Sequence, residues 1–207
     1  IVFAIMVPLG IAFGVLAGMR EGSVRDRAIS TVSILTTSVP EFASAVFLSA
    51  LFVFALGWLP GTSGMSAGFD WRQLVLPVAV LVLYAFGYIA RMMRASMAEV
   101  MQSPFIRTAV LKGIPYRRVI FRHALRNALI APFTVIILQI NWLLSGVVVV
   151  ETFFNYRGFG AMLLEAALNG DIYVIQACGL VAVFVAVVTQ VVGDIGYMLL
   201  NPRIRIR

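Results

Sequence analysis

The sequence is poor in charged residues, in cysteine and in histidine. Charged residues make up 12% of its 207 residues against 61% hydrophobic residues, which lies outside the usual balance of soluble domains. Its single cysteine, Cys178, excludes an internal disulfide and a cysteine-rich metal site, and we expect it to be a small buried hydrophobe. With a single histidine, His123, the sequence offers neither a Ser-His-Asp set nor a metal cluster.

A phosphate-binding loop of the form Gly-x-x-x-x-Gly-Lys-Ser/Thr is also missing. The backbone amides of such a loop hold nucleotide phosphates, so this sequence offers no nucleotide site of its own. We therefore expect a non-catalytic chain that binds no cofactor. The formal net charge of +7 follows the membrane topology and does not indicate nucleic-acid binding.

Long stretches of the chain carry almost no charge. A helix needs about 20 mostly apolar residues to cross a hydrocarbon core of about 30 Å. These stretches are apolar on every face, which is typical of helices in a membrane bundle. The sequence predicts an all-α integral membrane protein with five visible spans, in one domain over residues 1–207. The stretches are residues 1–19, 28–69 (with only Glu41), 73–90, 127–150 and 172–193.

The chain opens inside an apolar stretch, and its first residue is not Met. A signal peptide has a basic start, a short apolar core and a small-residue cleavage site, and none is visible here. We therefore expect an N-terminal part to precede residue 1.

Basic residues alternate between the predicted loops. Three follow the first span, eight follow the third and three follow the fifth, whereas the two other loops carry one each. Lys and Arg accumulate on the cytoplasmic side of membranes. We therefore expect residues 91–127 and the C-terminus in the cytoplasm, and residues 151–171 outside. Anionic lipid is a further expected partner of the basic face.

The stretch over residues 28–69 is too long for one span and contains Pro40. A proline kinks a helix or starts one. The interpretation that we prefer is one kinked helix over about residues 29–58. The alternative starts a helix near Pro40, with Glu41 in its favourable first turn and residues 29–38 at the inner surface. In both, we expect Glu41 to be a kink or cytoplasmic-end residue, and the alternative is a buried functional carboxylate.

Residues 103–127, which we name the basic hairpin, carry five Arg, one Lys and no acid. Ser103 followed by Pro104 predicts a helix start. Gly113 fits the left-handed position that ends a helix, and Pro115 opens a second helix. The short first helix is either a docking element for another protein or an ordinary surface loop. The second is amphipathic, with Arg118, Arg122 and Arg126 on one stripe and Ile120, Phe121, Ala124, Leu125 and Ala128 on the other.

The basic hairpin resembles the cytoplasmic loop of membrane subunits in ATP-binding-cassette importers. That loop reads Glu-Ala-Ala, three residues, Gly, nine residues and Ile-x-Leu-Pro, and Ala109, Gly113 and Leu125 match it. The peptide and nickel branch typically shows RTARAKG and RHALRNALIP, where this chain has RTAVLKG and RHALRNALIAP. SVPEF, LGWLP, VVVETFFNYRGFG and the closing NPRIRIR resemble the same branch in the same order. Pro115 and the inserted Ala131 depart from it and leave the docking geometry open.

The resemblance implies a type I importer permease of the first-permease type, usually with six spans, in a bacterial inner membrane. It implies ATP-binding-cassette ATPase subunits that bind the ATP, a second homologous permease, and an extracytoplasmic solute-binding protein. It also implies transport of di- or oligopeptides or a related small solute. The short helix corresponds to the coupling helix that docks on the ATPase. The implied docking residues are Phe105, Ile106, Arg107, Thr108, Ala109, Lys112, Gly113 and Ile114.

The loop over residues 151–171 predicts a short helix at 161–168, after Gly158 and Gly160 and before Asn169 and Gly170. We expect it either to re-enter near a pathway mouth or to lie on the membrane surface.

Two other classes of protein have weaker support. A proton-coupled carrier needs intramembrane acids and preferably inverted repeats, whereas Glu41 and Asp194 are isolated. We expect Asp194 at an interface or in helix packing. A membrane anchor or scaffold needs no long basic hairpin of this pattern.

Overall fold

The computed structural model describes residues 1–65 and 68–200. The closing segment at 201–207, with three of the predicted cytoplasmic arginines, lies outside the described residues, as do residues 66 and 67 of the predicted loop between the second and third spans. The regular structure of the described residues is helical. The helices are α1 (Val2–Gly18), α2 (Val24–Ser38), α3 (Glu41–Ser49), α4 (Arg72–Met101), α5 (Pro104–Leu111), α6 (Tyr116–Arg118), α7 (Leu125–Ala128), α8 (Ile130–Gly146), α9 (Val148–Phe153), α10 (Phe159–Leu168) and α11 (Ile172–Leu200); π-helical turns extend α3 (Ala50–Ala55) and join α6 to α7 (Val119–Ala124).

Three glycines on α1 bring its backbone directly onto the central helix α4. Gly10, Gly14 and Gly18 recur every four residues, so they lie on one face of α1. A Cβ atom added to any of them would lie 2.4–2.7 Å from the nearest atoms of α4, such as the Cβ of Met93. Small residues at this spacing allow close helix packing in membranes. We name these three residues the glycine seam.

The chain breaks sharply between α2 and α3. Val39 is extended before Pro40, which places α3 at 100° to α2, with Glu41 as the first residue of α3. Proline disfavours the helical conformation in the residue before it and cannot donate a hydrogen bond to the turn that precedes it. The preferred single kinked helix is therefore wrong. The alternative is confirmed in its helix start at Pro40 and in the first-turn position of Glu41.

Length and composition identify fewer certain spans than the five predicted. In the described part of the chain, α4 and α11 are long and apolar enough to cross a membrane. Two bent pairs of helices supply up to two more spans. The first is α2 with residues 41–55, bent by 100°, and the second is residues 116–128 with residues 130–144, bent by 55°. α1 has 17 residues, about 25 Å, which is at the short end for a hydrocarbon core.

Hydrogen bonds place alternate loops at the same end of the bundle. The Tyr116 hydroxyl donates to the Met19 carbonyl at 3.2 Å, and the Arg126 guanidinium donates to the Leu199 carbonyl at 3.3 Å. At the opposite end, the Ser63 amide donates to the Phe154 carbonyl at 2.7 Å. The loops that were predicted to share a side of the membrane therefore do share an end. We name these the basic end and the far end.

The far end carries the predicted short helix as α10. It starts at Phe159, two residues before the predicted position, and ends at Asn169 and a left-handed Gly170 as predicted. The Glu151 carboxylate accepts a hydrogen bond from the Ala161 amide at 2.8 Å, so an acid from α9 lies at the α10 N-terminus. Carboxylates stabilise helix N-termini, and this contact ties α10 to α9.

α11 lies at the edge of the bundle. It contacts α8, where Phe133 meets the Tyr197 ring edge-on at 5.2 Å, and it contacts α10. Cys178 is buried there, as predicted. Asp194 is exposed and accepts a hydrogen bond from the Gln190 amide one turn earlier at 3.3 Å.

Candidate functional site

The first helix of the basic hairpin begins where the sequence predicts. Ser103 is its N-terminal flanking residue and Pro104 its first residue. The Ser103 hydroxyl does not cap the helix, because it donates to the Val100 carbonyl of α4 at 2.5 Å. α5 therefore follows α4 after a two-residue corner, with its direction fixed by that corner and by the proline.

The turn at Gly113 confirms the predicted left-handed residue, with φ at +71°. The Gly113 amide donates to the Val110 carbonyl at 2.9 Å, and the Ile114 amide donates to the Ala109 carbonyl at 3.3 Å. This pair of bonds is the Schellman arrangement that ends a helix with its last carbonyls satisfied. The tip of the hairpin is therefore a hydrogen-bonded turn.

The second helix starts after Pro115 as predicted and passes through the π-helical turn at Val119–Ala124. Its predicted basic stripe is exposed, and Ile120, with two alanines of the apolar stripe, is buried. Phe121 of the apolar stripe is 61% exposed, so this stripe is only partly buried against the bundle. The stripe was assigned with α-helical spacing, and a π-helical turn holds more residues, which shifts the facing of its side chains.

A single hydrophobic cluster anchors the hairpin to the bundle. Ile106 and Ala109 of α5 pack with Met93 and Met97 of α4 and with Val15 of α1. The buried residues of the second hairpin helix belong to the same cluster, namely Val119, Ile120, Ala124 and Ala128. Interiors packed in this way transmit displacement with little compression. α5 is therefore held in the same packed cluster as α1 and α4.

Only some of the predicted docking residues lie on the exposed face of α5. Phe105, Arg107, Thr108, Lys112 and Gly113 are exposed, in agreement with a docking role.

Three other members of the predicted set face the chain itself. Ile106 and Ala109 are buried in the anchoring cluster, and Ile114 is half-buried against it. They can position the docking face but do not present themselves to a partner.

Sequence reasoning missed the most exposed apolar side chains of α5. Val110 is 52% exposed and Leu111 is 78% exposed. Neither belongs to the family pattern, so the resemblance did not single them out. The signal that could have found Leu111 is its position opposite Ile106 and Ala109 on a helix whose buried face is known, whereas Val110 lies at the border of that face.

The hairpin carries positive charge without internal compensation. Across the described residues, both ion pairs involve Arg94 of α4, and no basic side chain of the hairpin pairs with an acid. Exposed apolar residues within an uncompensated basic surface fit an acidic partner surface with an apolar pocket.

Arg94 joins α4 to α2 next to the base of the basic hairpin. Its guanidinium donates to both carboxylate oxygens of the buried Asp26 of α2, at 2.9 and 2.8 Å, and lies 3.4 Å from Glu21. Asp26 also accepts from the Gly22 amide at 2.8 Å and from the Ser30 hydroxyl at 3.2 Å. A two-pronged Arg–carboxylate contact fixes geometry as well as charge, so α2 and α4 are joined beside α5.

Comparisons with known proteins agree with this architecture. The family of binding-protein-dependent transport system inner membrane components matches residues 10–206. The chain is similar to a putative peptide transport system permease protein of Brucella abortus (strain 2308), with 38% identity over 207 residues, 98% of this chain and 66% of the relative. It is similar to the di/tripeptide transport system permease protein DppB of Pseudomonas aeruginosa (strain UCBPP-PA14), with 36% identity over 220 residues, 95% of this chain and 66% of the relative.

A third relative is the oligopeptide transport system permease protein OppB of Haemophilus influenzae, with 35% identity over 207 residues, 99% of this chain and 66% of the relative. The chain thus spans about two thirds of the length of these curated relatives. The family match runs from the middle of α1 to beyond the end of α11. This chain therefore belongs to the family of binding-protein-dependent transport system inner membrane components.

Proposed function

We propose that this chain is a translocation subunit of an ATP-driven importer for di- or oligopeptides or a related small solute. It acts in the inner membrane of a bacterium, with its C-terminus in the cytoplasm. ATP is bound and hydrolysed by separate ATPase subunits, so this chain needs no cofactor of its own. The family and the peptide-transport names of the relatives support this proposal.

The observation that carries the proposal is the construction of α5. One face of this helix is fixed in the cluster that also holds α1 and α4, and the other face exposes Leu111 within a basic surface. A helix held in this way can receive a push from a partner and pass it to the membrane helices. ATP-driven closure of two ATPase subunits supplies such a push.

We assign the remaining partners to surfaces at the two ends of the molecule. The α9–α10 segment of the far end receives an extracytoplasmic solute-binding protein. A second homologous permease completes the translocation path, and anionic lipid contacts the basic end.

The proposal is tested with Leu111→Asp in the full-length chain, purified with both permeases and the ATPase subunits. An exposed apolar side chain at the centre of an interface contributes about 2 kcal/mol, so ATPase binding should weaken roughly thirtyfold. Co-purification of the ATPase and ATP-dependent peptide uptake into proteoliposomes measure the effect.

Val24→Asp is the matched control, because Val24 is 84% exposed at the same end but lies outside the hairpin. It should leave both assembly and uptake unchanged. Normal assembly and uptake with Leu111→Asp would show that α5 is not the docking element.

A further inference from the structure

α4 exposes one face that its packing against the other helices leaves open. Tyr84, Tyr88, Arg91, Ala95 and Glu99 follow each other at spacings of three or four residues, so they lie along one side of the helix. All five are exposed or half-exposed, and Tyr88 is 38% exposed. We name these five residues the α4 stripe.

The upper part of the stripe is aromatic and cationic. The Tyr84 ring stacks on Trp142 of α8 with the ring centres 5.0 Å apart, and it meets Tyr88 edge-on at 5.5 Å. The Arg91 guanidinium lies 5.2 Å from the centre of the Tyr88 ring. These contacts hold the phenol rings and the guanidinium in one row.

The depth of this row argues against contact with lipid. Tyr84 and Tyr88 lie within the span predicted over residues 73–90, and Arg91 follows directly at the cytoplasmic end of that span. Polar groups within a span face protein or water, because lipid tails cannot satisfy them. In the described residues, no carboxylate lies within 4 Å of Arg91.

The surroundings of α4 differ between its two ends. Leu76 and Val80 are buried in a cluster with Val150 and Phe154 of the α9 region. Below this cluster the stripe begins at Tyr84 and continues to the cytoplasmic corner. The aromatic and charged side chains of the stripe therefore lie on the half of α4 nearer the basic end.

We propose that the α4 stripe lines the path of the solute, with Tyr88 and Arg91 in direct contact with it. This rests on the proposed function, and it names the chemistry of the solute. Arg91 forms charge-assisted hydrogen bonds with a free carboxylate, and the aromatic rings pack on the apolar part of the same molecule. The solute class is therefore small carboxylates with an apolar portion, such as a peptide with its free C-terminus.

Cysteine accessibility tests the path. Tyr84→Cys and Tyr88→Cys, both within the span predicted over residues 73–90, are made in a Cys178→Ala chain within the full complex. Val183→Cys is the matched control, because Val183 is exposed on the apolar helix α11. A charged, membrane-impermeant methanethiosulfonate is added from the basic end of the complex in vesicles.

A water-lined path lets a thiol ionise and react, whereas lipid does not. Both stripe variants should be labelled to completion while Val183→Cys stays unlabelled. Labelling of both stripe variants no faster than that of Val183→Cys would mean that the stripe is covered by the second permease or by lipid, and the proposal would be wrong.

Arg91→Gln tests the carboxylate. With the solute-binding protein saturated, uptake of a dipeptide should fall roughly tenfold, the effect of losing a charge-assisted hydrogen bond, while uptake of its C-terminal amide stays constant. An equal loss for both peptides would overturn the assigned ligand class. Labelled stripe thiols in a complex that takes up neither peptide would overturn the proposed function and still support the stripe as an aqueous path.

Discussion

α4 and α11 look alike in length and hydropathy but have opposite surroundings. They have 30 and 29 residues, and both are long and apolar enough to cross a membrane. In the most apolar part of each helix, 56% of the residues are buried in α4 and 11% in α11. α4 is the centre of the bundle, whereas α11 shows most of its apolar side chains to its surroundings. Hydropathy alone therefore reports that a helix enters a membrane and not what it contacts there.

The difference lies in what other helices offer to each of them. α1 offers α4 a face without side chains in the glycine seam, and α2 offers it the Asp26 carboxylate for Arg94. α11 receives a narrower contact, where its Gly196 meets the ring of Phe133 on α8. Close backbone approach and a paired charge distinguish a central membrane helix from a peripheral one.

The largest effect is expected for one added methyl group in the glycine seam. In Gly14→Ala, the new Cβ would lie 2.4 Å from the Met93 Cβ and 2.7 Å from the Ala90 carbonyl oxygen, so α1 and α4 must separate. We expect a loss of about 3 kcal/mol in the free energy of unfolding. Thermal unfolding of the detergent-solubilised complex measures this loss.

Gly179→Ala on α11 is the matched change, because nothing lies within 4 Å of its added Cβ. Alanine favours a helix over glycine by up to about 1 kcal/mol, so this variant should be neutral or slightly stabilised. Equal destabilisation of the two variants would remove the contrast between the two helices.

Removal of a carboxylate should have the next largest effect. Asp26→Ala leaves Arg94 without its buried partner, and we expect a loss of about 2 kcal/mol, less than for a fully buried pair because Arg94 is partly exposed. Asp194→Ala on α11 removes an exposed acid and should cost less than about 0.5 kcal/mol. Chemical unfolding of the two complexes side by side distinguishes these values, and a larger loss for Asp194→Ala would reverse the comparison.

The smallest difference is expected for single hydroxyl groups. The Ser96 hydroxyl of α4 donates to the Ala128 carbonyl at 2.8 Å, and the Tyr197 hydroxyl of α11 shares a 2.5 Å hydrogen bond with Thr134. Ser96→Ala should cost about 1 kcal/mol, because the carbonyl of the buried Ala128 loses its donor. Tyr197→Phe should cost less, since its partner is exposed. Melting temperatures of the two variants that rank in the other order would contradict this view of α11.

Local signals predicted the helix boundaries in the basic hairpin more accurately than those in the long apolar stretches. Ser103, Pro104 and Gly113 act through backbone conformations of neighbouring residues, and the structure confirms the helix start and the turn that they predicted. At Pro40 the same signal was present, but its outcome depends on whether another helix holds the chain straight. Here α2 packs across α4, at Gly87, and the chain turns by 100°.

Contacts between distant parts of the chain could not be predicted from local signals. The exposure of Leu111 depends on which side of α5 meets α4, and the facing of Phe121 depends on a π-helical turn. The ion pair between Asp26 and Arg94 joins residues 68 positions apart. The glycine seam was visible as a Gly-x-x-x-Gly-x-x-x-Gly pattern, and only its partner helix was not.

The glycine seam also sets an order of events during membrane insertion. Gly14 lies against Met93, so α1 is made long before its partner exists. At a synthesis rate of about 5–20 residues per second, the interval of nearly 80 residues lasts on the order of 4–16 s. Throughout this interval the bare groove of α1 remains open to lipid, to the insertion machinery or to another nascent chain. α1 thus has no partner at its glycine seam until α4 is made, and during that interval the seam can pack against another helix.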